Sequence, residues 1–242
     1  MQEKLKNSFL GKLLAALLLK FPPLKKGGQI ITAAVLAAFA LTAQLHSAEP
    51  SADAIVDALQ KNYDATGDFV ADFSQETAVK TLNRSLKASG KITYKRPGKM
   101  LWRYEEPKGQ FVLADGKHLY FFQPEQNQVI KSPLKNAFRG DIPLSFLLGL
   151  GNLKKDFNAA LQSSEGNQYT LRLEPKGEAG GYSEILISVN KNSFDIQSVS
   201  VRDAASNVTT LRFAAMQKGT GVKDSLFQFQ VPAGADVVEL GQ

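Results

Sequence analysis

His118 stands just after the turn-forming pair Asp115-Gly116. To serve a hydrolase triad it would have to meet a serine and a carboxylate, and no G-x-S-x-G elbow accompanies it. It reads instead as a histidine flanking a surface turn. Glu105 and Glu106 precede Pro107. Paired carboxylates do general acid–base work when their surroundings push their pKa values apart; before a proline turn they read as a solvated hairpin tip. Gly149 and Gly151 lack the third glycine of a dinucleotide loop, because position 154 is Lys. The chain has no cysteine, and His118 is its one histidine after residue 48. A disulfide scaffold, a thiolate metal site and a cysteine nucleophile are therefore excluded. The acids are not spaced as a cation loop, so neither a metal nor another cofactor is expected. The chain reads as a non-enzyme.

Arg96 is the more informative residue. Strand parity over residues 90–96 puts it on the same face as Ile92 and Tyr94. Two readings stand side by side. In one, Arg96 ends a strand in a solvated turn with Lys95, Pro97 and Gly98. In the other, it points from the rim towards an apolar interior. There its five donors need acceptors, because its charge cannot be shed. The last carbonyls of a short covering helix, which lack intrahelical partners, would serve. Arg96 would then be a latch.

The elements around Arg96 follow from periodicity. Ser51 is placed to cap a helix whose apolar stripe is Ile55, Val56, Leu59 and Tyr63. After Gly67 the apolar period becomes two. Strands are expected at 69–74, 90–96, 100–105, 110–114, 118–123, 127–132, 168–174, 183–189, 195–202 and 207–216, with a short one near 226–231. Pro97-Gly98, Asp115-Gly116 and similar pairs separate them. About eleven antiparallel strands are too many for a small flat sheet, so an incomplete, half-open barrel is expected. Residues Ile142 to Leu150 break the pattern. Pro143 opens an apolar run closed by Gly149, which reads as a short covering helix.

The net charge of +6 is misleading, because six of the 29 bases and one of the 23 acids lie in residues 1–48. The remainder is close to neutral, which excludes a basic nucleic-acid footprint. Lys25 and Lys26 precede an apolar run from Ile30 to Leu41, followed by small residues up to Ala48. That run has the length of a signal-peptide core and is short for a membrane span. The expected organisation is a leader over 1–48, exporting a single domain over 49–242 to a cysteine-free compartment such as the periplasm. An uncleaved anchor is the alternative.

The body resembles the LolA family of periplasmic lipoprotein carriers. The matching residues, in order, are Phe73-Ser74-Gln75, Tyr94-Lys95-Arg96-Pro97, Trp102 and Pro107. They continue through Asp115-Gly116-Lys117 with Tyr120, the run from Pro143 to Gly149, and Phe227 and Phe229 with Pro232 and Gly234. The resemblance spans about 51–238. It implies an incomplete antiparallel barrel with helices forming a lid, and a latching arginine that falls on Arg96. It also implies a monomeric carrier of triacylated lipoproteins. An inner-membrane ABC transporter would release these lipoproteins, and an outer-membrane receptor would take them. The family's aromatic on the third strand is Met100 here. The receptor is anchored through a lipidated cysteine, so a chain without cysteine fits the carrier. Acyl chains would then meet Phe69, Phe73, Ile92, Met100, Trp102, Phe111 and Leu113, with Leu144, Phe146, Leu147 and Leu148 from the lid. Two alternatives stay open. The aromatics have the same signature as a filled barrel core, and a lipid- or peptide-sensing module would use the same half-barrel.

Overall fold

The computed structural model describes residues 49–134, 152–177 and 182–240. Helix α1 (Ala52–Ala65) begins where Ser51 Oγ accepts the Ala54 N–H at 3.2 Å. Asp53 adds a negative charge to its first turn, where the helix dipole favours one. Its buried residues are Ile55, Val56, Leu59 and Tyr63, the stripe read from the sequence. The helix stops at Ala65, because Thr66 turns its N–H back to the Tyr63 carbonyl at 3.1 Å.

The strands are β1 (Asp68–Val79), β2 (Arg84–Lys95), β3 (Lys99–Glu106), β4 (Phe111–Asp115), β5 (His118–Gln123) and β6 (Gln128–Pro133). After the short helix α2 (Leu153–Asp156) come β7 (Phe157–Glu165), β8 (Gln168–Pro175), β9 (Tyr182–Asn190), β10 (Ile196–Asp203), β11 (Val208–Lys218) and β12 (Asp236–Glu239). They form one twelve-stranded sheet in the order β12-β6-β5-β4-β3-β2-β1-β11-β10-β9-β8-β7. Every described pairing is antiparallel except β12 on β6, which is parallel. The sheet is not closed into a barrel: β12 and β7 stand at its two ends.

Two differences from the sequence reading have local causes. The segment expected as a strand near 226–231 begins as a short 3-10 helix, Asp224–Phe227. Phe227, and Val222 just before the helix, are buried by packing on the sheet rather than by pairing within it. Strands β7 and β12 escaped the periodicity. In β7 the inward positions include Ala159 and, past a bulge after Leu161, Ser164, too small or polar to show a stripe. In β12 all four residues are exposed, and pairing with β6 makes the strand.

The sheet is strongly curved. Trp102 on β3 and Phe213 on β11 are separated by β2 and β1. A flat sheet would hold β3 and β11 about 14 Å apart, yet the two rings lie 6.1 Å apart, edge to face. Chemistry at Gly90 permits part of this. Gly90 pairs with Phe73 on one side and Tyr104 on the other. Those two rings meet across it at 5.1 Å and 82°. A Cβ at Gly90 would lie 2.0 Å from the Arg103 carbonyl oxygen and 2.9 Å from Tyr104 Cα, both backbone atoms. Gly90→Ala is accordingly expected to cost about 1–3 kcal/mol, the usual range for overpacking. The urea midpoint measures this, and a loss below about 0.5 kcal/mol, the scale of a neutral surface change, would refute the close approach.

Candidate functional site

The curved face of the sheet carries most of the residues picked out by strand parity. Phe69, Phe73, Ile92, Met100 and Trp102 are buried in one cluster with the α1 stripe. Phe69 stacks on Tyr94 at 5.0 Å, and Phe73 meets Trp102 at 4.8 Å, edge to face. Trp102 donates its indole N–H to Met100 Sδ at 2.7 Å. The softer Met100 thus fixes the orientation of the indole beside it.

Next to this cluster lies a cavity of about 370 Å³. Met100, Trp102, Tyr104 and Val112 line it from the N-terminal strands; Tyr182, Val199, Val201 and Leu211 line it from the C-terminal ones. Gln75, Asp203, Asn207 and Thr209 add polar atoms. The volume is at the small end of the ~300–1,000 Å³ usual for ligand pockets. The C-terminal lining was missed in the sequence, although strands β10 and β11 show the period-two signal that would have supplied it.

Two expected cavity residues lie elsewhere. Phe111 and Leu113 belong to a second cluster on the other face, with Leu101, Val222 and Phe227. Facing residues on paired strands share a side. The register sets Trp102 against Val112 and Leu101 against Leu113, so Val112 takes the inward place. The run Phe111 to Ala114 is apolar at every position, and composition therefore leaves its parity open. The turn centre would have resolved it, because facing residues of β3 and β4 are equidistant from Pro107. The lid residues Leu144, Phe146, Leu147 and Leu148 lie outside the described residues.

Arg96 sits just past the end of β2, where its N–H donates to the Gly67 carbonyl at 2.8 Å. Its side chain is 31% exposed. Nη1 donates to the Asp64 carbonyl at 2.7 Å and to the Tyr63 carbonyl at 3.3 Å. Nη1 and Nη2 each donate to Asp64 Oδ1 at 3.1 Å. The acceptors include the last carbonyls of a helix, but that helix is α1, whereas the latch reading sets them on the covering helix over Ile142 to Leu150, which lies outside the described residues. Arg96 also neutralises a carboxylate that the negative end of the helix disfavours. Beneath it, Tyr63 and Tyr94 are buried with rings 5.6 Å apart, and burial pushes both phenols up.

A second anchor holds α1 in its last turn. Asn62 Nδ2 donates to the Phe194 carbonyl and to Asp195 Oδ1, both at 3.0 Å. Lys218 pairs with Asp195 and donates to Asn62 Oδ1 at 2.9 Å. Burial pushes the Asp195 carboxyl up, but bonds from Lys218, Asn62 and Ser193 outweigh it and hold the group below its ordinary value. His118 lies outside both arrangements. Its Nδ1 is 3.8 Å from Asp115 Oδ2, while Asp115 Oδ1 accepts the Lys117 and His118 amides at 2.7 Å. This is turn chemistry. Among the described residues no three His, Cys, Asp or Glu side chains group as metal ligands.

Asp195 sets a pH dependence. A carboxyl with a depressed folded pKa contributes stability that is fully present above the unfolded value of about 3.9 and is lost as pH falls through the folded value. The protein should therefore lose stability below about pH 4. Asp195→Asn should flatten that acid limb while lowering neutral stability by about 1–2 kcal/mol. Melting temperatures across pH 2–7, a range of about 5 units around that pKa, check this; an unchanged acid limb would remove Asp195 as the cause.

Comparison with known proteins agrees with this geometry. The family model for the outer membrane lipoprotein carrier protein LolA matches residues 65–230. The outer-membrane lipoprotein carrier protein of Cupriavidus pinatubonensis is 34% identical over 190 residues, covering 77% of this chain and 88% of that one. Its counterpart in Cupriavidus taiwanensis is 32% identical over 210 residues, covering 85% and 95%. Among solved structures, an uncharacterized conserved protein from Thermus thermophilus superposes with a TM-score of 0.51 at 15% identity, covering 78% of this chain and 99% of that one. That last likeness is one of fold. With the family pattern matched over more than half its length, the chain belongs to the outer membrane lipoprotein carrier protein LolA family.

Proposed function

We propose that this protein is a periplasmic carrier. It accepts the acyl chains of triacylated lipoproteins released from the inner membrane by an ABC transporter and surrenders them to an outer-membrane receptor. Residues 1–48 are its cleaved export signal, and it travels as a monomer. The observation that carries this reading is the apolar cavity between two wings of one sheet, next to the buried cluster shared with α1, whose end is gripped by Arg96. The relatives' shared description as outer-membrane lipoprotein carrier proteins names the cargo class.

The energetics explain why a grip is useful. Burying acyl chains stabilises by about 0.8 kcal/mol per CH₂, so three long chains would bind too tightly to be surrendered. A cavity of about 370 Å³ is also too small for three such chains. Entry therefore widens the site, and the bonds from Arg96 to α1 oppose widening. Their re-formation on release offsets part of the burial energy. Phe69, Phe73, Ile92, Met100 and Trp102 meet the chains as the site opens.

Purified protein added to spheroplasts should release newly made lipoproteins as a soluble one-to-one complex. No release by folded protein, with a matched transporter present, would sink the carrier reading. Arg96→Leu should still accept cargo but deliver at least about tenfold less, since at least one charged hydrogen bond is lost; normal delivery by that variant would remove the latch. Trp102 is the only tryptophan in the sequence, so its emission reports occupancy. A synthetic triacylated lipopeptide should shift it, whereas unchanged emission on binding would place the acyl chains outside this cavity.

A further inference from the structure

The Arg96 grip does not end at Asp64. On α1, Asp57, Gln60 and Asp64 are spaced three and four residues apart, which puts them on one stripe of the helix. Gln60 sits in the middle and bonds both ways. Its Nε2 donates to Asp64 Oδ1 at 3.2 Å, the same oxygen that takes both Arg96 donors. Its Oε1 accepts the backbone N–H of Leu153 at 3.1 Å. Leu153 opens α2 and is buried in the main cluster. One turn away, Lys154 Nζ donates to both carboxylate oxygens of Asp57 at 2.8 Å. The Leu153 amide belongs to the first turn of α2, which has no intrahelical acceptor for it; Gln60 supplies one.

We propose that Gln60 and Asp64 are positioning residues of the grip, joining Arg96 at the end of β2 to α2 at the start of β7. This rests on the carrier reading above. The two ends lie far apart in the sheet, β2 inside the N-terminal wing and β7 at the opposite edge. The α1 stripe is the polar path between them. Arg96 cannot leave Asp64 without freeing the oxygen that orients the Gln60 amide, and a rotated Gln60 amide drops the Leu153 N–H. Opening at one end therefore loosens the other, and cargo entry meets the resistance of both. A simple cap on α2 would make no such demand on cargo exchange.

The test uses purified protein loaded with a fluorescent triacylated lipopeptide. It follows transfer to vesicles of phosphatidylethanolamine and phosphatidylglycerol, together with the melting temperature of the empty protein. Gln60→Leu keeps the side-chain size but loses both bonds, and should slow release about fivefold, the worth of one net hydrogen bond. Asp64→Asn keeps the acceptor oxygen without the charge and should fall between Gln60→Leu and the unaltered protein. Combining Gln60→Leu with Arg96→Leu should slow release no more than Arg96→Leu alone, because coupled positions are non-additive. A Gln60→Leu protein with a lowered melting temperature but normal release would overturn the proposal and leave the carrier reading intact. Fully additive slowing in the double variant would also overturn it. If Arg96→Leu itself released normally, the latch would fail first, and with it the role of Gln60.

Discussion

Backbone hydrogen bonding along a continuous twelve-stranded ladder keeps two apolar wings apart in water. Without that frame, Trp102, Tyr104 and Val112 would collapse onto Val199, Val201 and Leu211, since burying apolar surface stabilises at about 25 cal/mol per Å². Collapse is prevented because neither wing can approach further without breaking ladder pairs, whose buried donors and acceptors would go unsatisfied. Everything else adapts to this constraint. Gly90 gives up a side chain so that Phe73 and Tyr104 can meet at the bend. Helix α1 covers the end of the apolar face that the strands leave open. Arg96, Asn62 and Asp195 hold the helix there by polar contacts, which water can replace, rather than by packing alone.

The choice of arginine follows from the acceptors. Two backbone carbonyls and a carboxylate oxygen are spread over more than one direction, and a planar guanidinium with five donors can face all of them. A lysine ammonium offers a point charge and would reach fewer. Partial exposure also matters. A fully buried ion pair would be difficult to open, whereas one in contact with solvent is modest in strength.

Much of the fold was legible because it rests on periodicity. The α1 stripe and ten of the strands follow from spacing alone, and parity placed Phe69, Phe73, Ile92, Met100 and Trp102 on one face. Legibility failed where composition carries no alternation. Phe111, Val112, Leu113 and Ala114 are apolar on both sides because β4 is packed on both, by the cavity wall and by the C-terminal segment. That segment crosses the outer face, where Phe229 stacks on Tyr120 at 4.2 Å and Asp224 pairs with Lys95 and Lys99. Such packing is long-range and leaves no local mark. The bonds of Arg96 were foreseen in kind, as helix-end carbonyls, but on the covering helix over Ile142 to Leu150, whereas the described acceptors belong to α1. Gln60 gave no signal at all, since a glutamine on a helix face is ordinary.

The order of the sheet also bears on how the chain is made. Strands β2 to β6 follow β1 outwards in sequence on one side, and β7 to β11 return inwards on the other. Each wing can grow by neighbouring hairpins as it is synthesised. The wings are joined only when β11 pairs with β1, bringing Lys218 opposite Phe69. That contact spans most of the domain, and such non-local pairings form late. Until then Met100 and Trp102 have one wall and no opposite one. A nascent chain of this kind has no place to hold a lipid, so ligand binding is acquired at the close of synthesis rather than by degrees.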